Sequence, residues 1–260
     1  MIEDVKKLAK TAGEAILEVY RSDAFDVSLK DDKSPVTEAD KRADQVIVDG
    51  LKQVDPSIPF LTEESAQTPY DERSTWERFW LVDPLDGTKE FLKKTGQFTV
   101  NIALIEQGKP VLGVVWAPVI EWLYWGTREG GAFKQAEGKE SPIRTRKPNK
   151  AAMALVASKD HAGPQVQALK EKYPGCELKS MGSSLKLCLV AEGEADLYLR
   201  DGPTMEWDTG AADAIVRAAG GVVERWDGSR GSGLLDYNKQ DLHNPKFLVK
   251  GDPDLEVILS

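Results

Sequence analysis

Cysteine and histidine are nearly absent from this chain of 260 residues, which has two of each: Cys176, Cys188, His161 and His243. A structural zinc centre would have to recruit all four without a CxxC or HxxxH spacing to gather them, which argues against one. Also missing are the GxSxG elbow, the GxxxxGK[ST] loop and the GxGxxG turn. With them go the sequence handles of a serine hydrolase, a P-loop NTPase and a dinucleotide-binding enzyme. No apolar run approaches the ~20 residues of a membrane span. Residues 1–10 read as the start of an amphipathic helix rather than as a secretory leader. Two thiols fit a reducing compartment, so the expectation is a cytoplasmic protein. Positive charge is in deficit too: 34 Lys+Arg against 43 Asp+Glu leave a formal charge of −9 and a pI near 5.0. Such a surface offers no field to hold a nucleic acid or an anionic membrane, and an anionic substrate must be met by local cations.

What remains is an ordinary globular balance, 41% hydrophobic and 30% charged. A chain of this length buries roughly 75% of its unfolded surface, enough for a core without covalent staples, in one or two domains. Residues 2–20 place Ile2, Val5, Leu8, Ala12, Ile16 and Val19 at helical spacing and leave Lys6, Lys7, Lys10 and Glu14 to water. A loop rich in Asp, Lys and Ser follows. Thr37-Glu38-Ala39-Asp40 then opens a second helix with the apolar stripe Ala43, Val46, Ile47, Leu51 and Val54, ended by Asp55-Pro56. From Pro59 the period changes: Phe60–Leu61 and Phe79–Val82 are short apolar runs. Thr99–Ile105, Val111–Trp116 and Trp122–Trp125 predict successive antiparallel strands, turned at Gln107-Gly108-Lys109. After a polar stretch at 136–150, strands at 153–157, 178–181, 197–199, 222–225 and 247–249 alternate with helices at 166–173, 184–192 and 209–219. The pattern predicts helices followed by a sheet in residues 1–145 and an α/β arrangement in 146–260.

Carboxylates mark where the chemistry sits. In residues 79–91 a buried strand ends in Asp83, Pro84 forces a turn, and Asp86 follows three positions on, before Gly87-Thr88 begins a helix. Two carboxylates at a rigid strand end suit hard divalent cations, and the free amides of the next helix suit phosphate. An Asx turn with a helix cap would give the same letters without chemistry. Glu63-Glu64, directly after the Phe60–Leu61 run, fit either a ligand pair or a solvated surface. Asp208, ahead of the Ala-rich stretch at 210–219, and Asp40, three after Thr37, fit helix caps equally well.

Taken together, Glu63, the run Asp83-Pro84-Leu85-Asp86-Gly87-Thr88 and Trp207-Asp208 resemble the metal-binding signature of the inositol monophosphatase-like superfamily of magnesium-dependent, lithium-sensitive phosphatases. The resemblance runs over nearly the whole chain. Residues 34–40, 83–91, 182–193 and 196–200 resemble its branch of bacterial 3'(2'),5'-bisphosphate nucleotidases, linked to sulfate assimilation. Lys89-Glu90-Phe91 and Ser183-Ser184-Leu185-Lys186 favour that branch over inositol monophosphatases.

The resemblance implies an α+β / α/β phosphatase fold layered α-β-α-β-α, with most metal ligands in 1–145 and the substrate-selecting residues in 146–260. It implies two or more Mg²⁺ ions, one on Glu63, Asp83 and the Leu85 carbonyl, a second on Asp83, Asp86 and Asp208. Four clustered carboxylates would otherwise repel one another and force some to protonate. Thr88 with Asp40, beside Glu63, would orient the attacking water, and Gly87 would let the backbone approach the phosphate. Asp86, Gly87, Thr88 and Asp208 would also touch substrate. Ser183 and Lys186 match positions facing the adenosine or its 5'-phosphate, Arg200 matches a phosphate-facing arginine, and His161 matches more loosely. Without such roles, Lys186 would be a solvated helix residue and Arg200 would pair with Asp201 or Glu206.

The implied reaction is hydrolysis of the 3'-phosphate of adenosine 3',5'-bisphosphate to AMP and phosphate by metal-activated water. Inositol monophosphate or a sugar bisphosphate is the alternative substrate within the superfamily. An aspartyl-phosphate enzyme would space its acids DxD, unlike Asp83 and Asp86. The sequence leaves the oligomeric state open.

Overall fold

The computed structural model of the chain describes residues 1–22, 27–29, 35–65, 68–157 and 164–259. It begins with α1 (Ile2–Arg21), the antiparallel pair β1 (Val27–Leu29) and β2 (Pro35–Thr37), and α2 (Glu38–Val54). Next come β3 (Phe60–Thr62), the short α3 (Tyr70–Arg73), β4 (Arg78–Asp86), α4 (Thr88–Leu92) and β5 (Thr99–Glu106). Strands β6 (Lys109–Ala117), β7 (Trp122–Thr127), β8 (Gly131–Ala136) and β9 (Lys139–Ile143) complete the first sheet. Beyond it run β10 (Ala154–Ala157), α5 (Pro164–Lys172), β11 (Glu177–Ser180), α6 (Leu185–Ala191) and β12 (Leu197–Arg200). The chain closes with α7 (Glu206–Ala218), β13 (Val222–Trp226), β14 (Gly231–Leu234) and β15 (Phe247–Lys250).

Strand β4 shows why layers form. Successive side chains of a strand point to opposite faces. Trp80 and Val82 therefore join Val5, Ile16 and Ile47 of α1 and α2, while Phe79 and Leu81 join Ala211 and Ile215 of α7. The first sheet has seven strands in the order β3-β4-β5-β6-β7-β8-β9, antiparallel except for β3 beside β4. The second has six in the order β11-β10-β12-β15-β13-β14. Its inner face, with Val156, Tyr198 and Val249, shares a core with α6 and α7; its outer face, with Leu155, Leu199 and Leu248, is covered by Leu169 and Tyr173 and by the C-terminal Leu255 and Val257. The result is five layers, α1/α2, sheet, α6/α7, sheet and α5, the α-β-α-β-α architecture that the resemblance implied.

Gly113 on β6 sets the spacing between the first sheet and α7. A Cβ there would stand 2.0 Å from the Ala211 carbonyl oxygen, so only glycine admits this approach.

The structure corrects several expectations. Strand β4 does not end at Asp83: it continues through Pro84 to Asp86, with its pairing to β5 shifting register between the two acids. Helix α7 starts at Glu206, three residues earlier than its apolar run begins. Lys6 is buried rather than solvated, its ammonium 2.9 Å from Glu3 and 3.8 Å from the Trp125 ring centroid. The Asp/Lys/Ser-rich segment contains β1 and β2, and the polar stretch at 136–150 contains β9. Strands β9 and β14 lie at sheet edges with mostly exposed residues, so they carry no apolar period to read.

Candidate active site

The parallel pairing of β3 and β4 places the first two acids. Thr62 stands opposite Val82, and the Glu63 amide donates to the Val82 carbonyl at 3.2 Å, so β3 ends level with the middle of β4 and Glu63 lies beside Asp83. Asp83 is buried, and its Oδ1 accepts the Leu85 amide at 3.0 Å, closing an Asx turn at the register shift. Pairing resumes at Asp86, opposite Thr99. Gly87 then takes φ 95°, a left-handed conformation that a side chain would strain, and turns the chain into α4.

The third acid comes from α7. Asp208 sits in its first turn and is not the N-cap its sequence position suggested: Met205 is the cap, and Asp208, three residues on, reaches back so that its Oδ2 accepts the Met205 amide at 2.8 Å, which uses one carboxylate oxygen. The helix start is fixed by buried Glu206, which accepts the amides of Asn238 and Lys239 at 2.7 and 2.9 Å and the Lys239 ammonium at 2.6 Å. Carboxylate oxygens of Glu63, Asp83 and Asp208 all lie within 4.8 Å of one another. Asp86 falls outside that triad. It shares with Asp208 the wall of a cavity of about 280 Å³, also lined by Gly87, Ser183, Lys186 and Arg200. Glu63, Asp83 and Thr88 are not on that wall.

Mutual repulsion is written into the protonation of this cluster. Burial, and then the charges of Glu63, Asp86, Asp208 and Asp40, hold the Asp83 carboxyl well above the usual range. Asp208 reaches the cavity but is enclosed deeply enough that desolvation, reinforced by Asp86, pushes it up to about 8. Asp86 is raised by burial to about 6, less far because the Lys186 ammonium and the Ser184 amide favour its charged form. Such a set is unfavourable by itself and is satisfied by a hard divalent cation, whose charge offsets the acids and whose preference is for oxygen. The donor set therefore fits a magnesium ion.

The structure brings most of the expected substrate residues to the same cavity. Lys186 is no solvated residue: it is 8% exposed, its ammonium donates to the Ser183 carbonyl at 2.6 Å, and burial lowers its pKa to about 8. Ser183 has φ 43°, and its hydroxyl donates to the Gln97 carbonyl at 3.1 Å, so it meets ligand only by giving up that bond. Arg200 donates to the Pro203 carbonyl at 3.0 Å, and Glu206 pairs with Lys239 instead. Asp40 is buried in the first turn of α2, near enough for its charge to act on Asp83. Thr88 is the first residue of α4, and the cap position is taken by Gly87 instead. His161 lies outside the described residues. Sequence reasoning missed Gln97, Thr99, Asn101 and Ser184. The available signal was Asn101, an amide in the middle of the otherwise apolar run Val100–Ile105.

A five-layer sandwich with an acidic cluster drawn from the end of β3, from within β4 and from the start of α7 defines a class of protein, and this chain belongs to the inositol monophosphatase family, whose model matches residues 1–255. Among curated relatives, it is 47% identical over 253 residues to the 3'(2'),5'-bisphosphate nucleotidase CysQ of Salmonella typhimurium, covering 96% of this chain and 99% of that one. The CysQ of Escherichia coli K12 is 46% identical with the same coverage. Among solved structures, CysQ from Bacteroides thetaiotaomicron, a bacterial member of the inositol monophosphatase family, matches with TM-score 0.82 and 40% identity over 94% of each chain. The suhB protein of Bartonella henselae matches with TM-score 0.77 and 26% identity, over 96% of this chain and 93% of that one.

Proposed function

We propose that this chain is a magnesium-dependent phosphatase that removes the 3'-phosphate of adenosine 3',5'-bisphosphate, giving AMP and phosphate. The observation that carries the reading is the triad Glu63, Asp83 and Asp208, with carboxylate oxygens within 4.8 Å of one another. Beside it, a cavity presents Lys186 and Arg200. The full-length similarity to CysQ nucleotidases supports the substrate. Glu63, Asp83, Asp86, Asp208 and the Leu85 carbonyl would hold the metal, in two or more positions. When bound, magnesium supplies positive charge that activates water and stabilises the leaving oxygen.

The chain's own groups do the rest. Asp83 and Asp208, raised by burial and then by neighbouring carboxylates, would give up their protons to hold a cation. The left-handed turn at Gly87 lets the first amides of α4, which lack intrahelical acceptors, approach phosphate oxygens. Thr88, assisted by Asp40, orients the attacking water. Ser183, Lys186, Arg200 and His161 receive the adenosine and its 5'-phosphate, and the buried Lys186 ammonium sees that phosphate with little solvent screening. A cytoplasmic location and a role in sulfate assimilation complete the reading; two free thiols fit the reducing compartment.

Phosphate release from adenosine 3',5'-bisphosphate, inositol monophosphate and a sugar bisphosphate, with and without Mg²⁺, tests it. The nucleotide should be turned over fastest, and Asp83→Asn should abolish turnover in a folded protein. Near-wild-type turnover by Asp83→Asn would remove the metal assignment, and faster turnover of either other substrate would remove the nucleotide.

A further inference from the structure

Behind Asp86 runs a chain of three buried polar side chains, of which only Asn101 reaches the carboxylate; the backbone amide of Ser184 meets it as well. Thr99 and Asn101 are two apart on β5, hence on one face, and the pairing of β5 with β4 sets them opposite Asp86 and Asp83. Ser184 lies immediately before α6, in the layer between the sheets. All three side chains are at most 2% exposed. Thr99 Oγ1 is 2.9 Å from Ser184 Oγ, and Ser184 Oγ is 2.8 Å from Asn101 Oδ1. Asn101 Nδ2 is 3.5 Å from Asp86 Oδ2, which also accepts the Ser184 amide at 2.6 Å.

Proton accounting gives this chain a direction. A carboxamide oxygen only accepts, so the single Ser184 proton goes to Asn101, and Ser184 in turn accepts from Thr99. With its oxygen claimed by Ser184, the Asn101 amide turns its NH₂ toward Asp86. Both bonds to the carboxylate then fall on Oδ2, and among the described residues no protein donor reaches Oδ1. Apolar residues of similar shape at the same three positions would fill the space without partners, and such exchanges are often close to neutral.

We infer that Thr99, Ser184 and Asn101 are positioning residues for the magnesium site: they commit one oxygen of Asp86 to the protein and fix the other for the cation. This rests on reading Asp86 as a magnesium ligand. The groups behind a metal ligand orient it, and their loss typically weakens metal affinity about 10–100-fold. The effect should grow along the chain toward Asp86. Asn101→Leu removes the amide donor itself, Ser184→Ala leaves the amide free to flip, and Thr99→Val removes only the far donor.

The test is Mg²⁺ titration by calorimetry on each purified variant without nucleotide, alongside its melting temperature and the Mg²⁺ dependence of its rate. Asn101→Leu should bind Mg²⁺ about 10–100-fold more weakly, Ser184→Ala less so and Thr99→Val least, with lost rate recovered at high Mg²⁺. If Asn101→Leu does not fold, Ser184→Ala decides: weaker binding at an unchanged melting temperature supports the assignment. Wild-type Mg²⁺ affinity in the folded variants overturns it, as does a loss that follows melting temperature rather than position in the chain. Because no nucleotide is present, the two readings fail separately. Graded Mg²⁺ affinities with no turnover of adenosine 3',5'-bisphosphate would overturn the proposed reaction and leave the positioning chain standing.

Discussion

Replacing Gly113 with alanine asks whether the site depends on the contact between β6 and α7. The new Cβ would stand 2.0 Å from the Ala211 carbonyl oxygen, 2.8 Å from its carbonyl carbon and 3.0 Å from its Cα. All three are backbone atoms, so no side-chain rotation relieves them, and α7 must lift by on the order of 1 Å to restore ordinary contact. Overpacking of this kind costs about 1–3 kcal/mol, and a rigid backbone neighbour puts it at the upper end. At ~2–4 °C per kcal/mol for a chain of this size, the melting temperature should fall by about 6–12 °C.

The functional effect should be larger than the stability effect. Ala211 is one turn from Asp208 on the same helix, so the lift passes to that carboxylate, and a 1 Å misplacement of a reacting constellation costs about 10²-fold in rate. Thermal unfolding, phosphate release and Mg²⁺ calorimetry on Gly113→Ala measure both. Gly50→Ala is the control: its Cβ would meet Leu8 Cδ1 at 2.3 Å, the movable end of a side chain, in a helix that gains from alanine. It should keep its rate and nearly keep its melting temperature. If Gly113→Ala behaves like this control, the contact does not place Asp208.

Three further outcomes follow from the site. Because the Asp83 and Asp208 carboxyls are raised, Asp208 to about 8, the metal-free folded chain keeps protons that the unfolded chain loses above about pH 4. Metal-free stability should therefore fall as pH rises from about 4 to 8; the Mg²⁺-induced gain in melting temperature should grow over the same window and shrink in Asp208→Asn, and a pH-independent gain would refute this. Lys186→Ala should lower kcat/KM on adenosine 3',5'-bisphosphate by about 10–100-fold, the worth of a charged hydrogen bond. It should lower it far less on the 3'-monophosphate, and equal losses would assign Lys186 to the fold or to Asp86 instead. Li⁺, near Mg²⁺ in size with half the charge, should inhibit beyond matched Na⁺ and less as Mg²⁺ rises within its activating range. A grid of steady-state rates without that difference would remove the second metal position.

How far the sequence reaches depends on whether a local period carries the information. The helices α1 and α2 and the strands β5 to β7 have their stripes in the letters, and they form where those stripes predict. Lys6 departs from its polar spacing because Trp125, distant in sequence, offers its ring face. The acids of the cluster were legible through their neighbours: a strand before Glu63, a strand and a glycine around Asp83 and Asp86. Their mutual arrangement was not, since it follows from β3 running parallel to β4 and from the register shift between Asp83 and Asp86. Thr99, Asn101 and Ser184 were passed over for the same reason. Each has an ordinary local reading, and only the fold links them into one chain that ends on Asp86.

Helix α7 joins these lessons to function. Its sequence reads as Ala-rich rather than amphipathic, and from Glu206 to Val216 every residue except Asp208 is buried, because both sheets close on it. A helix with a sheet on each side has no polar face to give, and small residues at 210–212 let the strands come near: a Cβ on Gly210 would meet Leu81 at 2.8 Å. The same crowding that erases the helical period fixes the helix in place on both sides. Asp208, the half-buried residue of that stretch, stands at its open end, where a carboxylate has a cavity to face and two sheets to hold it still. The tight, small-residue packing of the middle layer is therefore what lets acids from three separate elements keep the few-ångström spacing that one divalent cation requires.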